Sequence, residues 1–357
     1  MKKLIAIILS AFMLLNLVAC GGDPAEETKE ESKAGEAQEE ILKEEEEKEE
    51  KAKEKTEETT EESISLKVGA PKAPPTLPVL HMIEEKTLGE NVNLELDIWN
   101  DPEQLIAMVQ DNEHDMFAFP LTVVAKLNSK GVPVTLMNVN TWGVTYFMTS
   151  DKDFKSWEDL RGKTVYVPLQ SSPPDALTQY FLNEAGLKVG EDVNIVYASM
   201  TEVTSALVSG QAEYATIIEP QCTIAHSKNE NLITAFSFED EWKKATGTDT
   251  MIPNAGWGAK NSFIEEHPEF TEKFQEAYKE SLEWILANPK EASELAEKYL
   301  DMPAPIIEQA IPRMGLHFKT AVESEEELDM FYNLLNDFDP KMIGGKLPDK
   351  SMYYNHE

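Results

Sequence analysis

From residue 64 onward the chain alternates apolar runs of strand length with amphipathic runs of helix length. That alternation restricts the possible fold more than any other feature. Leu66-Lys67-Val68-Gly69-Ala70 reads as a strand, residues 71–76 as a turn and residues 77–85 as a helix. Val92–Trp99 alternates as a second strand, and Asp101 is placed to cap a helix whose first position is Pro102. Residues 116–119 form a third strand stopped by Pro120, followed by a helix over Leu121–Ser129 and a strand over 134–139. This order predicts a parallel or mixed sheet with helices on both faces.

A second series starts near Trp157. It places a strand at Thr164–Pro168, a helix over 175–185 stopped by Gly186, a strand over 193–198, a helix over 202–209 and a strand at Tyr214–Ile218. The first series holds Ala107-Met108-Val109 and then Asp115-Met116-Phe117-Ala118-Phe119-Pro120. The second holds Ala206-Leu207-Val208 and then Glu213-Tyr214-Ala215-Thr216-Ile217-Ile218-Glu219-Pro220. Both run helix, polar turn, acid, apolar strand, proline, which fits two similarly built lobes. Farther on, Phe270, Phe274, Tyr278, Leu282 and Ile285 form one apolar helical stripe. Ala292, Leu295, Ala296, Tyr299 and Leu300 form the next, and both read as core.

Two segments precede these series. Lys2 and Lys3 lead an apolar run from Leu4 to Leu15, the form of a secretory signal. The run ends in Leu17-Val18-Ala19-Cys20-Gly21, which resembles the bacterial lipobox. The resemblance implies removal of residues 1–19 and acylation of Cys20, whose buried methylenes would hold the protein on a membrane at ~0.8 kcal/mol each. Residues 20–63 then read as a tether. From 23 to 63 there are 19 acids, 7 lysines and only Ile41 and Leu42 as bulky apolar residues. Such a segment cannot bury enough surface to offset chain entropy. Its i,i+4 pairs, Glu39/Lys43, Glu44/Lys48, Glu47/Lys51 and Glu49/Lys53, favour a fluctuating, partly helical spacer.

Charge and motif content exclude several functions. The chain carries 66 acids against 32 bases, and residues 64–357 alone stand at −24. That leaves no basic footprint for nucleic acid. No phosphate loop, HExxH or GxSxG occurs, and the six histidines have no ligand spacing, so neither a cofactor nor a metal is expected. Cys222, the one cysteine left after Cys20, reads as a small buried apolar residue.

Four stretches carry a family resemblance. They are Trp157-Glu158-Asp159-Leu160-Arg161-Gly162-Lys163-Thr164-Val165-Tyr166-Val167-Pro168, the following Gln170-Ser171-Ser172, the segment from Ala212 to Pro220, and His267-Pro268-Glu269-Phe270. Over about 64–345 the chain resembles the extracytoplasmic solute-binding proteins of ABC importers. It is most similar to the branch serving nitrate, taurine, aliphatic sulfonates and thiamine pyrimidine precursors. The resemblance implies a type II periplasmic-binding-protein fold, two α/β lobes joined by two crossover strands. Crossovers are expected near 143–150 and 251–259, so that lobe I is 64–147 with 251–357 and lobe II is 148–250. It further implies a monomer on the outer face of the cell membrane, a small-molecule solute, and permease and ATPase partners. An enzymatic branch makes the thiamine pyrimidine with a cysteine-rich motif and a histidine. With Cys222 alone in the lobes, this chain departs from that pattern, and a non-enzyme is expected. A ligand-sensing surface lipoprotein on the same fold is the other alternative.

In open α/β sheets ligands sit beyond the carboxyl ends of the strands, where helix N-termini point at them. The candidate binding residues follow: Pro75 and Thr76 after strand one, Trp99 and Asn100 after strand two, and Gln170, Ser171 and Ser172 at a helix N-terminus. Phe119 and Glu219 end corresponding strands, and Trp142, like Trp257, lies near a crossover. Ser171 and Ser172 either cap their helix or bind a ligand oxygen. Glu219 either accepts from a ligand N–H or binds local backbone. The tryptophans either pack the lobes or stack on ligand. Arg161 and Arg313 are the only arginines; one precedes a strand away from the cleft and the other lies in the C-terminal helices. No bidentate arginine clamp for an anion is therefore expected. The expected solute is a neutral or zwitterionic nitrogenous one, such as a heterocycle or taurine.

Overall fold

The computed structural model describes residues 64–355. The leader, Cys20 and the acidic tether lie outside the described residues. In chain order the strands are β1 (Ile64–Pro71), β2 (Val92–Trp99), β3 (Met116–Pro120), β4 (Val134–Leu136), β5 (Asn138–Trp142), β6 (Thr145–Thr149), β7 (Thr164–Pro168), β8 (Asn194–Ala198), β9 (Tyr214–Ile218), β10 (Ile233–Ser237), β11 (Pro253–Lys260) and β12 (Leu316–Thr320). The α-helices are α1 (Leu77–Glu84), α2 (Pro102–Gln110), α3 (Leu121–Ser129), α4 (Pro173–Glu184), α5 (Met200–Ser209), α6 (Gln221–Lys228), α7 (Phe238–Thr246), α8 (Asn261–Glu266), α9 (Pro268–Ala287), α10 (Pro289–Leu300), α11 (Ala304–Ala310) and α12 (Glu325–Phe338).

Two sheets result. Lobe I orders its strands β12-β5-β11-β3-β1-β2, with β4 against β11; lobe II orders them β10-β6-β9-β7-β8. β3 lies between parallel β1 and antiparallel β11, and β9 between parallel β7 and antiparallel β6. The two stretches that echo each other in sequence thus occupy equivalent positions. Both strands are buried along their full length, which is why they read as continuous apolar runs.

Local chemistry explains the helix starts. The Asp101 carboxylate accepts from Gln104 N (2.8 Å), with Pro102 at the first helical position, as expected. The α9 stripe is wholly buried, and Phe274 and Tyr278 meet the Trp257 ring edge-on at 5.5 and 5.9 Å. Each such ring contributes roughly 1.5–3 kcal/mol through burial.

The structure revises several boundaries. The strand expected over 134–139 is two strands, because Met137 turns its N–H to the Trp257 carbonyl between them. The first passage between lobes is only Gly143-Val144. Thr145–Thr149, expected partly in lobe I, pairs antiparallel with Tyr214–Ile218 in the lobe II sheet. The second passage ends at Ile252, since Pro253–Lys260 already belongs to lobe I. The passages join where Gly143 N donates to the Ile252 carbonyl (3.0 Å) and Ile252 N donates to the Glu239 carboxylate (3.2 Å). Gly143 has φ +52°, and a Cβ there would meet Glu239 Oε2 at 2.5 Å, so glycine is required. A strand, β12, also interrupts the C-terminal stretch read as helical; it adds to the β5 edge.

His114 is buried, with Nδ1 2.8 Å from Asp111 and Nε2 3.0 Å from Asp97. It ties the start of β3 to β2.

Candidate functional site

The C-terminal ends of the parallel strands of both lobes meet in one cleft. Register sets its walls, placing Pro71 beside Trp99 and Pro168 beside Ala198. The inner part is a cavity of about 50 Å³ between Pro71, Ala73, Pro74, Pro75, Phe119 and Pro120 on one side and Leu169, Pro173, Pro174 and Ile218 on the other. The outer part, about 240 Å³, is more polar, lined by Lys72, Asn100, Ser199, Thr201, Glu219 and Gln221. Trp99, Leu169 and Ile218 line both.

Three polar groups in the inner wall have no partner on the protein: Trp99 Nε1, Ser172 Oγ and Asn254 Nδ2. All three residues are at least nine-tenths buried. A buried donor left unpaired costs about 1–3 kcal/mol, and these three belong to residues around one cavity. Ser172 is the N-cap residue of α4, yet its side chain makes no capping bond. Pro173 and Pro174 remove the first two helical N–H groups, and Asp175 instead accepts from Ser171 N (2.7 Å). The capping role weighed for Ser172 is thus unfilled, and its hydroxyl remains free.

The other expected residues divide. Pro75 and Phe119 line the inner cavity, and the Pro75 carbonyl is fixed by Trp257 Nε1 (3.2 Å) and the Tyr278 hydroxyl (2.9 Å). Asn100 lines the outer part, its backbone N–H held by Gln104 (2.8 Å). Thr76 lies behind the wall, its hydroxyl donating to the Pro71 carbonyl. Trp142 lies in β5, donating to the His317 carbonyl (2.7 Å), and packs lobe I. Gln170 and Ser171 are exposed and line neither cavity; Ser171 contributes a carbonyl that accepts from the Thr122 hydroxyl across the lobes (2.7 Å). Trp257 is core.

Glu219 is buried and already partnered. Its Oε1 lies 2.7 Å from Arg313 Nη2, and its Oε2 accepts from Thr223 N (3.0 Å). Burial pushes its carboxyl up, and the Arg313 charge opposes that. Arg313 therefore does not stay among the C-terminal helices as the sequence suggested. Lys72 lines the outer part with its ammonium donating to the Leu300 carbonyl (2.8 Å), and the two guanidiniums are paired, Arg313 with Glu219 and Arg161 with Asp192. Asn254 and Arg313 were missed by sequence reasoning. A polar residue next to the start of the strand 253–260 was the available signal for the first; nothing local marked the second.

Arg161 pairs with Asp192 away from the cleft. Cys222 is fully buried, and burial pushes its thiol up to about 12, which suits a packing residue. Among the described residues no group of three or more His, Cys, Asp or Glu is arranged to hold a metal ion. No described helix is long and apolar enough to cross a membrane.

Comparison with known proteins places this geometry in context. The model of a family described as NMT1/THI5 like matches residues 89–292, more than half of the chain. The candidate binding protein YtlA of Bacillus subtilis (strain 168) is 20% identical over 244 residues, 66% of this chain and 70% of that one. Among solved structures, an ABC transporter protein from Parabacteroides distasonis superposes with TM-score 0.70 at 20% identity, covering 83% of this chain and all of the other. The periplasmic aliphatic sulphonate binding protein SsuA from Escherichia coli superposes with TM-score 0.68 at 14% identity, covering 82% and 92%. These likenesses establish the two-lobed periplasmic-binding-protein fold anticipated from the sequence.

Proposed function

The chain belongs to the NMT1/THI5-like family, and on that premise we propose that it is the solute-binding component of an ABC importer. It captures a small organic solute in the cleft by closure of the lobes and passes it to a permease and ATPase. No catalytic constellation lines the cleft, and its one described cysteine is buried. Lipid attachment at Cys20 on the outer face of the membrane completes the reading. It is checked by Cys20→Ala, which should abolish palmitate labelling.

The unpartnered trio of Trp99, Ser172 and Asn254 carries the ligand assignment. Two are obligate N–H donors and the third is a hydroxyl, so they call for acceptors on the solute. Glu219, the residue weighed as acceptor for a ligand N–H, is engaged by Arg313. These observations favour the sulfonate arm over the nitrogenous heterocycle. A sulfonate head, as in taurine or a short aliphatic sulfonate, offers three oxygens to three donors, and its body meets the proline and phenylalanine wall. The SsuA likeness is consistent with this. The donors are neutral, and a zwitterion such as taurine enters the field of a −24 body at less electrostatic cost than a bare anion.

Calorimetric titration with taurine, ethanesulfonate and a hydroxymethyl-aminopyrimidine tests the assignment. The sulfonates should bind and lose at least tenfold in affinity in Ser172→Ala and Trp99→Phe. Binding of the pyrimidine alone would overturn it.

A further inference from the structure

We propose that Arg313 is a positioning residue that latches the two lobes together through Glu219, and so sets how firmly solute is retained without touching it. The latch presupposes capture by lobe closure, but not any particular solute.

The geometry is one-sided. Arg313 ends a short 3-10 turn of lobe I, residues Ile311–Arg313, directly before β12. Every partner of its head group belongs to lobe II. Glu219 Oε1 at the end of β9 is 2.7 Å from Nη2, Cys222 Sγ in α6 is 3.3 Å from it, and the guanidinium lies over the Tyr146 ring of β6 at 5.1 Å. The Tyr146 hydroxyl also reaches back to the Arg313 carbonyl (3.4 Å). Beside this cluster α11 of lobe I packs on α6 of lobe II.

The two charges are unequally exposed. The Glu219 side chain is 0% accessible, whereas that of Arg313 is 40% accessible. A carboxylate removed from water needs a counter-charge, and Thr223 N supplies only a hydrogen bond. With the lobes apart, Arg313 leaves and Glu219 must be rehydrated; with the lobes together, each charge satisfies the other. The pair joins the lobes beside the passage between them, where Glu219 N donates to the Val144 carbonyl (3.2 Å), and it opposes any opening that parts its charges, which shifts the open–closed equilibrium. Because the apparent affinity of a solute that binds only the closed state scales with the closed fraction, Arg313 raises affinity by the same factor for every solute that bridges the lobes. The cation–π contact with Tyr146 and the thiol contact orient the guanidinium toward the carboxylate.

Electron-electron resonance distances between spin labels at Lys188→Cys in lobe II and Lys290→Cys in lobe I test the latch in solute-free protein. The full chain is used with Cys20→Ala; Cys222 is buried, and each variant without the two introduced cysteines gives the background from any label at Cys222. Wild type should give one short, narrow distance. Arg313→Met should add a longer distance, with at least a fivefold rise in the open population. Glu219→Gln should do the same, and the double variant should do no more than either single one. Superimposable distributions for wild type and Arg313→Met, or additive effects in the double variant, would overturn the proposal. If Arg313→Met does not fold, the isosteric Glu219→Gln decides alone, by the same criterion. Because no solute is present, the outcome is separate from whether sulfonates bind.

Discussion

Replacing Ser172 by alanine should move stability and affinity in opposite directions. An N-cap serine ordinarily contributes about 1 kcal/mol to its helix, so its loss destabilises. Ser172 makes no such bond; its hydroxyl is buried and unpartnered, and the residue lines the inner cavity. An orphan hydroxyl costs about 1–3 kcal/mol in a dry site. The cavity of about 50 Å³ has room for water, which needs only ~10–15 Å³ of such volume, so part of that cost is relieved. The solute-free alanine variant should thus gain about 0.5–1 kcal/mol, or roughly 1–3 °C in melting temperature for a body of this size. Its affinity for taurine should fall by the worth of a hydrogen bond to a charged acceptor, about 1.5–3 kcal/mol or 10- to 150-fold. Calorimetric melting without solute and titration with taurine measure both. A variant destabilised by 1 kcal/mol or more with unchanged affinity would show that Ser172 holds the helix and not the solute.

Two further outcomes are expected. Tyr278→Phe removes one of two donors to the Pro75 carbonyl while Trp257 keeps the other, so urea unfolding should show a loss of about 1 kcal/mol and no orphaned acceptor. Burial pushes the Glu239 carboxyl up, so the native state binds more protons than the unfolded chain and stability falls as pH rises from about 4 through its native value. Glu239→Gln, which still accepts from Ile252 N, should gain stability relative to wild type over that interval; a flat difference between the two would refute the reasoning.

Much of the scaffold was legible because its signals are local. Asp101-Pro102 marks a helix start, the runs 116–119 and Tyr214–Ile218 are apolar throughout, and the α9 stripe repeats at helical spacing. The passage between lobes was misplaced by a few residues because Thr145–Thr149 is equally suited to either sheet by composition. Only its partner, Tyr214–Ile218, decides. The lining of the cleft was half legible. Trp99 and Phe119 follow from the rule that strand ends form clefts. Trp142 obeys the same rule and fails, because its indole N–H meets the His317 carbonyl on a strand that a linear reading does not place beside it. Thr76 and Ser171 fail for a related reason: the hydroxyl of one and the carbonyl of the other are claimed by neighbours.

On the proposed reading, the division of donors between the lobes would link closure to binding. Trp99 ends β2 and Asn254 is the second residue of β11, both in lobe I, while Ser172 precedes α4 in lobe II. A solute whose acceptors meet only Trp99 and Asn254 leaves the lobes free to part. One that also reaches Ser172 bridges them, and its third hydrogen bond exists in the closed state alone. By linkage, that differential contact is what a solute can contribute to closure. The pseudo-equivalent strand ends divide the remaining work. β3 ends in Phe119-Pro120 and supplies an apolar wall, and β9 is followed by Glu219, which supplies an anchor for Arg313. Solute and latch, as proposed, would then act on the same equilibrium from separate contacts. A solute too short to span from Trp99 to Ser172 would bind without closing the cleft, and its affinity would be indifferent to Arg313→Met. A bridging solute would lose affinity in proportion to the closed fraction.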